Sequence, residues 1–178
     1  VFLAGNALPS RWQGYEHFTI LATGFGLGLN FLATWSAWRN DPQRSKHLHF
    51  ISVEKHPFRK ADLASLHTAW PTLQPLSESL LNTWPTLTPG FHRLHLDNGQ
   101  VTLDLLLGDA ATLLPQLVAK IDAIYLDGFS PAKNPALWNA ELIATLSPLL
   151  RHGATLATWS VAGHLRATLK QAGWQLEK

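Results

Sequence analysis

The stretch Phe18–Asn30, FTILATGFGLGLN, decides the fold. Its first five residues form an apolar run, three glycines at alternate positions follow, and apolar residues then recur at helical spacing from Leu29 to Arg39. This order predicts a buried strand, a glycine turn and a helix. Because glycine lacks a β-carbon, the backbone of the turn can pass close to a ligand, and the amides of the following helix point toward it. We expect this turn to bind a cofactor.

The spacing of the three glycines distinguishes two classes of cofactor. The dinucleotide fingerprint G-x-G-x-x-G would require glycine where this chain has Leu29, whereas the turn reads G-x-G-x-G. The spacing favours S-adenosylmethionine over NAD, with ordinary turn chemistry as the alternative. The residues expected to contact the cofactor here are Gly24, Phe25, Gly26, Gly28 and Asn30.

Strands and helices alternate along the rest of the chain. Strands are predicted at 49–53, 101–107, 123–126 and 153–159, and helices at 58–70, 76–84, 139–150 and 162–172. The arms at 91–96 and 101–107 flank the turn Asp97–Gln100, which predicts a hairpin whose second arm enters the main sheet. A further strand is expected to begin near Trp174. The alternation predicts an α/β fold with a doubly wound, mostly parallel sheet, in a single domain over residues 1–178.

Composition narrows the class of protein. The chain has 178 residues, a net charge of +2 and a sequence pI of about 9.1, which is compatible with a polyanionic partner. No apolar run reaches the roughly 20 residues of a membrane span and no signal peptide opens the chain, so we expect a cytoplasmic protein without a membrane partner. Cysteine is absent, which excludes disulfides and thiolate chemistry. The histidines at 47, 49, 92 and 95 lack further ligands in register, so no metal site is expected.

Acidic residues follow several of the predicted strands. Ligands of a doubly wound sheet lie outside the carboxyl ends of its strands, so these positions are candidates for a binding site. Glu54 lies at the distance from the glycine turn at which a strand-end acid binds ribose hydroxyls, with a solvated strand end as the alternative. Asp109, beside Ala110, is a candidate to accept a hydrogen bond from an adenine amino group; the alternative is a helix N-cap, and both roles could hold together.

The string after the strand at 123–126 carries the most chemical information. It reads DGFSPAKNP from Asp127 to Pro135, with Trp138 close behind. A turn between a strand and a helix explains the prolines, but not the acid, the aromatic residue, the lysine and the asparagine together. We expect Asp127 to lie at the reacting centre.

At this point six strings of the chain resemble a known family, the methyltransferase half of the bacterial bifunctional enzymes that make 5-methylaminomethyl-2-thiouridine in tRNA. They cover almost the whole chain in order, and the string around Asp127 is the most specific. The strings are VFLAGN at 1–6, GFG with GLNFL at 24–32, HFISVEK at 49–55, GD at 108–109, LDGFSPAKNP at 126–135 and GATLAT at 153–158. The resemblance implies a Rossmann-like class I S-adenosylmethionine-dependent methyltransferase.

The resemblance also implies a reaction and its partners. The methyl group of S-adenosylmethionine would pass to the aminomethyl nitrogen of 5-aminomethyl-(2-thio)uridine at the wobble position of tRNA. An FAD-dependent oxidase domain, fused or separate, would uncover that amine, so FAD would belong to the partner domain and not to this chain. The first segment of the family's domain and its closing strand hairpin are expected to be missing, which would make this chain a domain truncated at both ends. The family usually carries an acid before the glycine turn, where this chain has Ala22 and Thr23, so the contact to the methionine amino group is in question.

The residues suggest a role for Asp127 in this reaction. An alkylamine resembles lysine, with a pKa of about 10.4, and is mostly protonated at neutral pH. We expect Asp127 to orient the amine and to help remove its proton.

Other side chains are expected to hold the substrate. Phe129 and Trp138 are expected to stack on the uracil and Lys133 to meet a phosphate, with Asn134 nearby; core packing or an ordinary surface position is the alternative. The resemblance places Lys55 at the cofactor. Lys55 is also a candidate, with Arg59 and Lys60, for a basic rim that binds the tRNA anticodon arm, and ordinary solvated side chains are the alternative there.

Two other functions stay open from the residues. A small-molecule or polyamine transferase on the same fold would also need an acid at Asp127, but it would not need a basic surface. The second is a non-catalytic nucleic-acid-binding domain on a degenerate cofactor fold. It would explain why Ala22 stands where the family usually has an acid, and it would not bind S-adenosylmethionine.

Overall fold

A six-stranded sheet forms the centre of the protein. In the computed structural model, which describes residues 1–127, 140–160 and 163–176, the strands lie in the order β3-β4-β2-β1-β5-β6. All neighbouring strands pair in parallel except β3 and β4, which form an antiparallel hairpin. The doubly wound, mostly parallel α/β sheet and its hairpin are therefore confirmed. The strands are β1 (His17–Ala22), β2 (His47–Glu54), β3 (Gly90–Leu96), β4 (Val101–Leu107), β5 (Ile121–Leu126) and β6 (Leu150–Thr158).

Helices cover both faces of the sheet. Successive residues of a strand point to opposite faces of the sheet. Phe18 and Ile20 of β1 therefore pack into one core, with the helices at 29–40 and 74–82. Leu21 packs into the other core, with the helices at 140–146 and 163–171. Because both faces are covered, the central strands read as continuous apolar runs. The helices are α1 (Phe2–Gly5), α2 (Leu29–Asn40), α3 (Lys60–His67), α4 (Gln74–Asn82), α5 (Ala110–Leu113), α6 (Ala140–Leu146) and α7 (Gly163–Gln171).

Prolines explain two of the boundaries that differ from the prediction. The helix predicted at 139–150 ends at Leu146, because Pro148 has no amide hydrogen and its ring would clash with the preceding helical turn. The helix predicted at 76–84 begins earlier, at Gln74, with Pro75 in its first turn, where a missing amide hydrogen costs nothing.

Helix α3 is shorter than the helix predicted at 58–70. The backbone of Arg59 is extended, with φ −67° and ψ 151°, so the helix begins only at Lys60. Pro57 therefore lies before the helix and not in its first turn.

The two ends of the chain also differ from the prediction. Helix α1 and a short 3₁₀ helix at Ser10–Trp12 were not predicted; they are held by distant partners, such as the carbonyl of Ile124 that accepts from Asn6 at 3.2 Å. Residues 174–176, where a strand was expected to begin, have no regular secondary structure. Within the described ranges, no helix combines the length and apolar character needed to cross a membrane.

Candidate functional site

The strand order brings the predicted site residues to one edge of the sheet. Strand β1 lies between β2 and β5, so the chain changes direction across the sheet between β1 and β5. Ligands of such sheets bind outside the carboxyl ends of the strands at this reversal. The glycine turn follows β1, Glu54 ends β2 and Asp127 follows β5, so all three lie at that position.

The glycine turn has two positions that only glycine occupies without strain. Gly26 and Gly28 have φ of 53° and 73°, and Gly28 is the N-cap of α2. A β-carbon on Gly28 would lie 2.6 Å from Cζ of Phe25, whereas a β-carbon on Gly26 would meet nothing within 4 Å. Gly28 thus lets the turn close over the Phe25 ring, and Gly26 leaves open space beside the backbone.

The Phe25 side chain belongs to the core. It is 7% exposed, and its ring centroid lies 5.6 Å from that of Trp84 and 6.4 Å from that of Phe31. Any contact of this residue with a cofactor is therefore limited to its backbone.

The carboxylate of Glu54 ties the end of β2 to the glycine turn. Its Oε2 accepts from the amide of Gly26 at 2.8 Å and its Oε1 accepts from the amide of His56 at 2.8 Å. A carboxylate offers about four acceptor positions, so these two bonds leave capacity for two ligand hydroxyl groups.

Asp109 caps α5, as one of the two predicted alternatives states. Its Oδ1 accepts from the amide of Ala111 at 3.0 Å, and its Oδ2 accepts from Nζ of Lys55 at 2.8 Å. The hydrogen bond from Lys55, followed by that from the Ala111 amide, lowers the pKa of Asp109. Lys55 and Asp109 thus form an ion pair across the ends of β2 and β4, with side chains that are 59% and 47% exposed. Ala110 is the first residue of α5.

The carboxylate of Asp127 is held from two sides. Nδ2 of Asn30, in the first turn of α2, donates to Oδ2 at 2.6 Å, and Nε1 of Trp159, just after β6, donates to Oδ1 at 3.2 Å. Both groups can only donate at these atoms, so Asp127 acts as the acceptor in both hydrogen bonds.

The glycine turn and the Asp127 strand end are also joined through the backbone. The amide of Thr23 donates to the carbonyl of Tyr125 at 3.1 Å, and the Thr23 hydroxyl donates to the carbonyl of Asp127. Thr23, at the position before the turn where the resembling family usually has an acid, is 2% exposed and links the two strand ends.

Two residues of this site were not predicted. Trp159 was predicted as the last residue of the strand at 153–159, but it follows β6 and is 44% exposed. With the correct strand end, the rule that selects strand-end residues would have selected it. His67 is buried, and its Nε2 donates to the carbonyl of Leu27 in the glycine turn at 2.7 Å while its Nδ1 lies 2.5 Å from Oγ of Ser77. No local signal identifies His67, because 40 residues separate it from Leu27.

Four predicted substrate residues lie outside the described part of the chain. They are Phe129, Lys133, Asn134 and Trp138. Among the residues that the structure describes, no group of three or more His, Asp or Glu side chains could hold a metal ion.

Comparisons with known proteins identify the family of this chain and several relatives. The family model described as S-adenosyl-L-methionine-dependent methyltransferase matches residues 71–178. A protein of Aromatoleum aromaticum named tRNA 5-methylaminomethyl-2-thiouridine biosynthesis bifunctional protein MnmC is 63% identical over 178 residues, which is 100% of this chain and 28% of that protein. Its namesake from Azoarcus sp. is 61% identical over the same share of both chains. This chain thus spans about 28% of the length of these relatives.

A solved structure shares the fold. The crystal structure of MNMC2 from Aquifex aeolicus superimposes with a TM-score of 0.78 at 23% identity, covering 98% of this chain and 52% of that one. The family agrees with the cofactor that the glycine spacing predicts and with the class of enzyme that the resemblance implies. The chain belongs to the family of S-adenosyl-L-methionine-dependent methyltransferases.

Proposed function

We propose that this chain methylates the aminomethyl nitrogen of 5-aminomethyl-(2-thio)uridine at the wobble position of tRNA, giving 5-methylaminomethyl-(2-thio)uridine. The observation that carries the proposal is the carboxylate of Asp127, which lies next to the glycine turn and is oriented by Asn30 and Trp159. The names of the relatives, which are 63% and 61% identical over the whole chain, supply the nucleoside.

The residues at the sheet edge fit S-adenosylmethionine. The open space beside Gly26 admits a ligand against the backbone, together with Gly24, Gly28 and Asn30 of the same turn. The remaining acceptor positions of Glu54 suit the ribose hydroxyls. Asp109, with Lys55 and Ala110, lies at the end of β4, where an adenine amino group would find a carboxylate acceptor. When bound, S-adenosylmethionine supplies an electrophilic methyl group on a sulfonium.

Asp127 prepares the nucleophile in this proposal. The nitrogen attacks in line, so that the N–C bond forms as the C–S bond breaks, and the attack requires a free lone pair on the nitrogen. Because the amine is mostly protonated at neutral pH, the carboxylate would first accept one ammonium proton, which frees the lone pair. A hydrogen bond from a remaining N–H would then direct that lone pair toward the methyl group. The hydrogen bonds from Asn30 and Trp159 orient the oxygens of Asp127, and such alignment accelerates a displacement.

The substrate contacts complete the proposal. Phe129 and Trp138 would stack on the uracil, Lys133 would neutralise a phosphate of the anticodon arm, and Asn134 would bind a polar edge of the nucleoside. An FAD-dependent oxidase domain would supply the free amine, and the word bifunctional in the relatives' names supports a domain fused to this one.

The test is the modification state of tRNA in cells that carry Asp127→Asn in the full-length protein. We expect 5-aminomethyl-2-thiouridine to accumulate, and methyl transfer by the purified variant to fall at least about 100-fold, as for loss of a general base. Calorimetry should show that the variant still binds S-adenosylmethionine. Glu141→Gln, an exposed acid on α6, is the matched control and should leave methylation unchanged. Wild-type levels of 5-methylaminomethyl-2-thiouridine in the Asp127→Asn cells would contradict the assignment.

A further inference from the structure

Helix α3 lies along the rim of the site. Before it, the amide of His56 donates to Oε1 of Glu54 at 2.8 Å. At its other end, Nε2 of His67 donates to the carbonyl of Leu27 in the glycine turn at 2.7 Å. Both ends of the helix are therefore held beside the edge where the cofactor is proposed to bind.

Most residues of α3 are exposed to solvent. Only Leu63 and His67, which are 0% and 4% exposed, are buried within the helix. Three large apolar side chains of this segment are nevertheless exposed: Phe58 by 38%, Leu66 by 42% and Trp70 by 37%. Isolated exposed apolar residues are ordinary, but these three lie within 13 residues of one another, on or next to one short helix.

The same segment also has positively charged side chains. Between residues 55 and 70 the chain has Lys55, Arg59 and Lys60 against the single acid Asp62. Lys55 is paired with Asp109, whereas Arg59 and Lys60 form no ion pair with any residue that the structure describes.

We propose that this α3 surface, formed by Phe58, Arg59, Lys60, Leu66 and Trp70, binds the unpaired anticodon-loop nucleotides that flank the modified uridine. The proposal rests on the proposed function, because it requires an RNA substrate. Unpaired bases stack on exposed aromatic rings, and phosphates bind arginine and lysine. Aromatic side chains and arginine also occur in interfaces between proteins, but lysine is depleted there. Lys60, which forms no ion pair with a described residue, therefore favours RNA over a protein partner.

The experiment measures binding of an anticodon stem-loop to the full-length protein at several salt concentrations. Phe58→Ala/Trp70→Ala should weaken binding by about tenfold or more with the salt dependence unchanged, because each stacked base contributes that order of affinity. Arg59→Gln/Lys60→Gln should lower the slope of log K against log salt by about 1.4, because each phosphate contact on a single strand contributes about 0.7. The affinity for S-adenosylmethionine should stay unchanged in both variants, which also shows that they fold.

Matched controls lie elsewhere on the surface. Tyr15→Ala removes an exposed aromatic ring that precedes the amino end of β1, and Arg166→Gln/Lys170→Gln removes two exposed cations from α7 on the opposite face of the sheet. Both controls should bind the stem-loop as the wild type does.

Three outcomes would overturn the proposal. If the wild type binds and methylates the RNA and the α3 variants bind it equally well with the same slope, the α3 surface does not face the RNA. Unchanged RNA binding together with a lower melting temperature of the full-length variants would assign the surface to a contact within the protein. A wild type that neither binds nor methylates the RNA would overturn the proposed function itself, and this proposal with it.

Discussion

The carboxylate of Asp127 is joined by a hydrogen bond to the helix that follows the glycine turn. Two donors to its carboxylate come from different elements: Asn30 belongs to the helix that follows the glycine turn, and Trp159 follows the neighbouring strand β6. A displacement of that helix would therefore turn the carboxylate. Trp159 lies outside the glycine turn. A substitution at Trp159 therefore tests the orientation of Asp127 without removing a residue that is proposed to bind the cofactor.

Trp159→Phe should lower kcat about tenfold and leave the KM for S-adenosylmethionine unchanged. Phenylalanine keeps an aromatic ring at this position but has no N–H to donate to Oδ1 of Asp127. One hydrogen bond to a charged group contributes about 1.5 kcal/mol or more. Steady-state kinetics of the full-length enzyme measures both constants. Asn30→Ala is the comparison, and it should lower kcat and also raise the KM for S-adenosylmethionine, because Asn30, in the first turn of α2, is proposed to contact the cofactor. A Trp159→Phe enzyme with wild-type kcat would show that the indole does not orient Asp127.

Helix α3 supports the glycine turn through His67. A carbonyl can only accept, so Nε2 of His67 carries the hydrogen that is donated to Leu27, and the other ring nitrogen faces the hydroxyl of Ser77 on α4. The imidazole thus connects two helices and the turn in a buried position.

His67→Ala should weaken binding of S-adenosylmethionine about tenfold, with little change in kcat at saturation. The carbonyl of Leu27 loses its donor, and the turn is then free to adopt conformations that do not bind the cofactor. His67→Gln, whose amide can place an N–H near the position of Nε2, should restore most of the affinity. Calorimetry measures binding, and urea unfolding in parallel separates loss of the turn from loss of the fold. Equal affinity in His67→Ala and the wild type would remove this role.

The whole sheet is tied together by polar groups as well as by its two cores. Asp104 of β4 receives hydrogen bonds from Arg93 of β3 at 2.8 Å and lies 2.8 Å from Nε2 of His49 of β2. Burial acts to raise the pKa of Asp104, but the hydrogen bonds from Arg93 and His49 outweigh it and hold that pKa well below its usual range. This network connects three strands at the hairpin side of the sheet.

Asp104→Asn should destabilise the protein by about 2 kcal/mol at pH 7, through the loss of charged hydrogen bonds. The pKa of Asp104 is lower in the folded than in the unfolded protein, so the ionised group stabilises the fold above about pH 4, and this stability is lost as pH falls through the folded pKa. The difference between variant and wild type should therefore narrow below about pH 4. Urea unfolding at pH 7 and pH 3 measures it, with the exposed Asp62→Asn as control. A difference that stays constant with pH would show that the charge of Asp104 contributes nothing.

Local patterns predicted most of the fold. The apolar run, the glycine turn and the helical spacing lie within 22 residues of each other, and their conformation depends on residues close in sequence. The Asn98-Gly99 turn predicted the hairpin for the same reason. The helix predicted at 139–150 was extended past Pro148, whose missing amide hydrogen ends the helix. The start of α4 was placed too late, after Pro75, although the first turn of a helix tolerates a proline.

The acidic strand ends could be read from the sequence as candidates for the site, because a strand's carboxyl end is a position along the chain. The side chains that hold Asp127 and the glycine turn in place could not be predicted from the sequence. Trp159 lies 32 residues from Asp127 and His67 lies 40 residues from Leu27, and each pair meets only because particular strands and helices are neighbours in the folded protein. Periodicity shows which face of an element is apolar but not which element packs beside it. The chemistry at the strand ends is thus a property of the sequence, whereas the orientation of its acid and the support of its turn arise from the packing of distant elements.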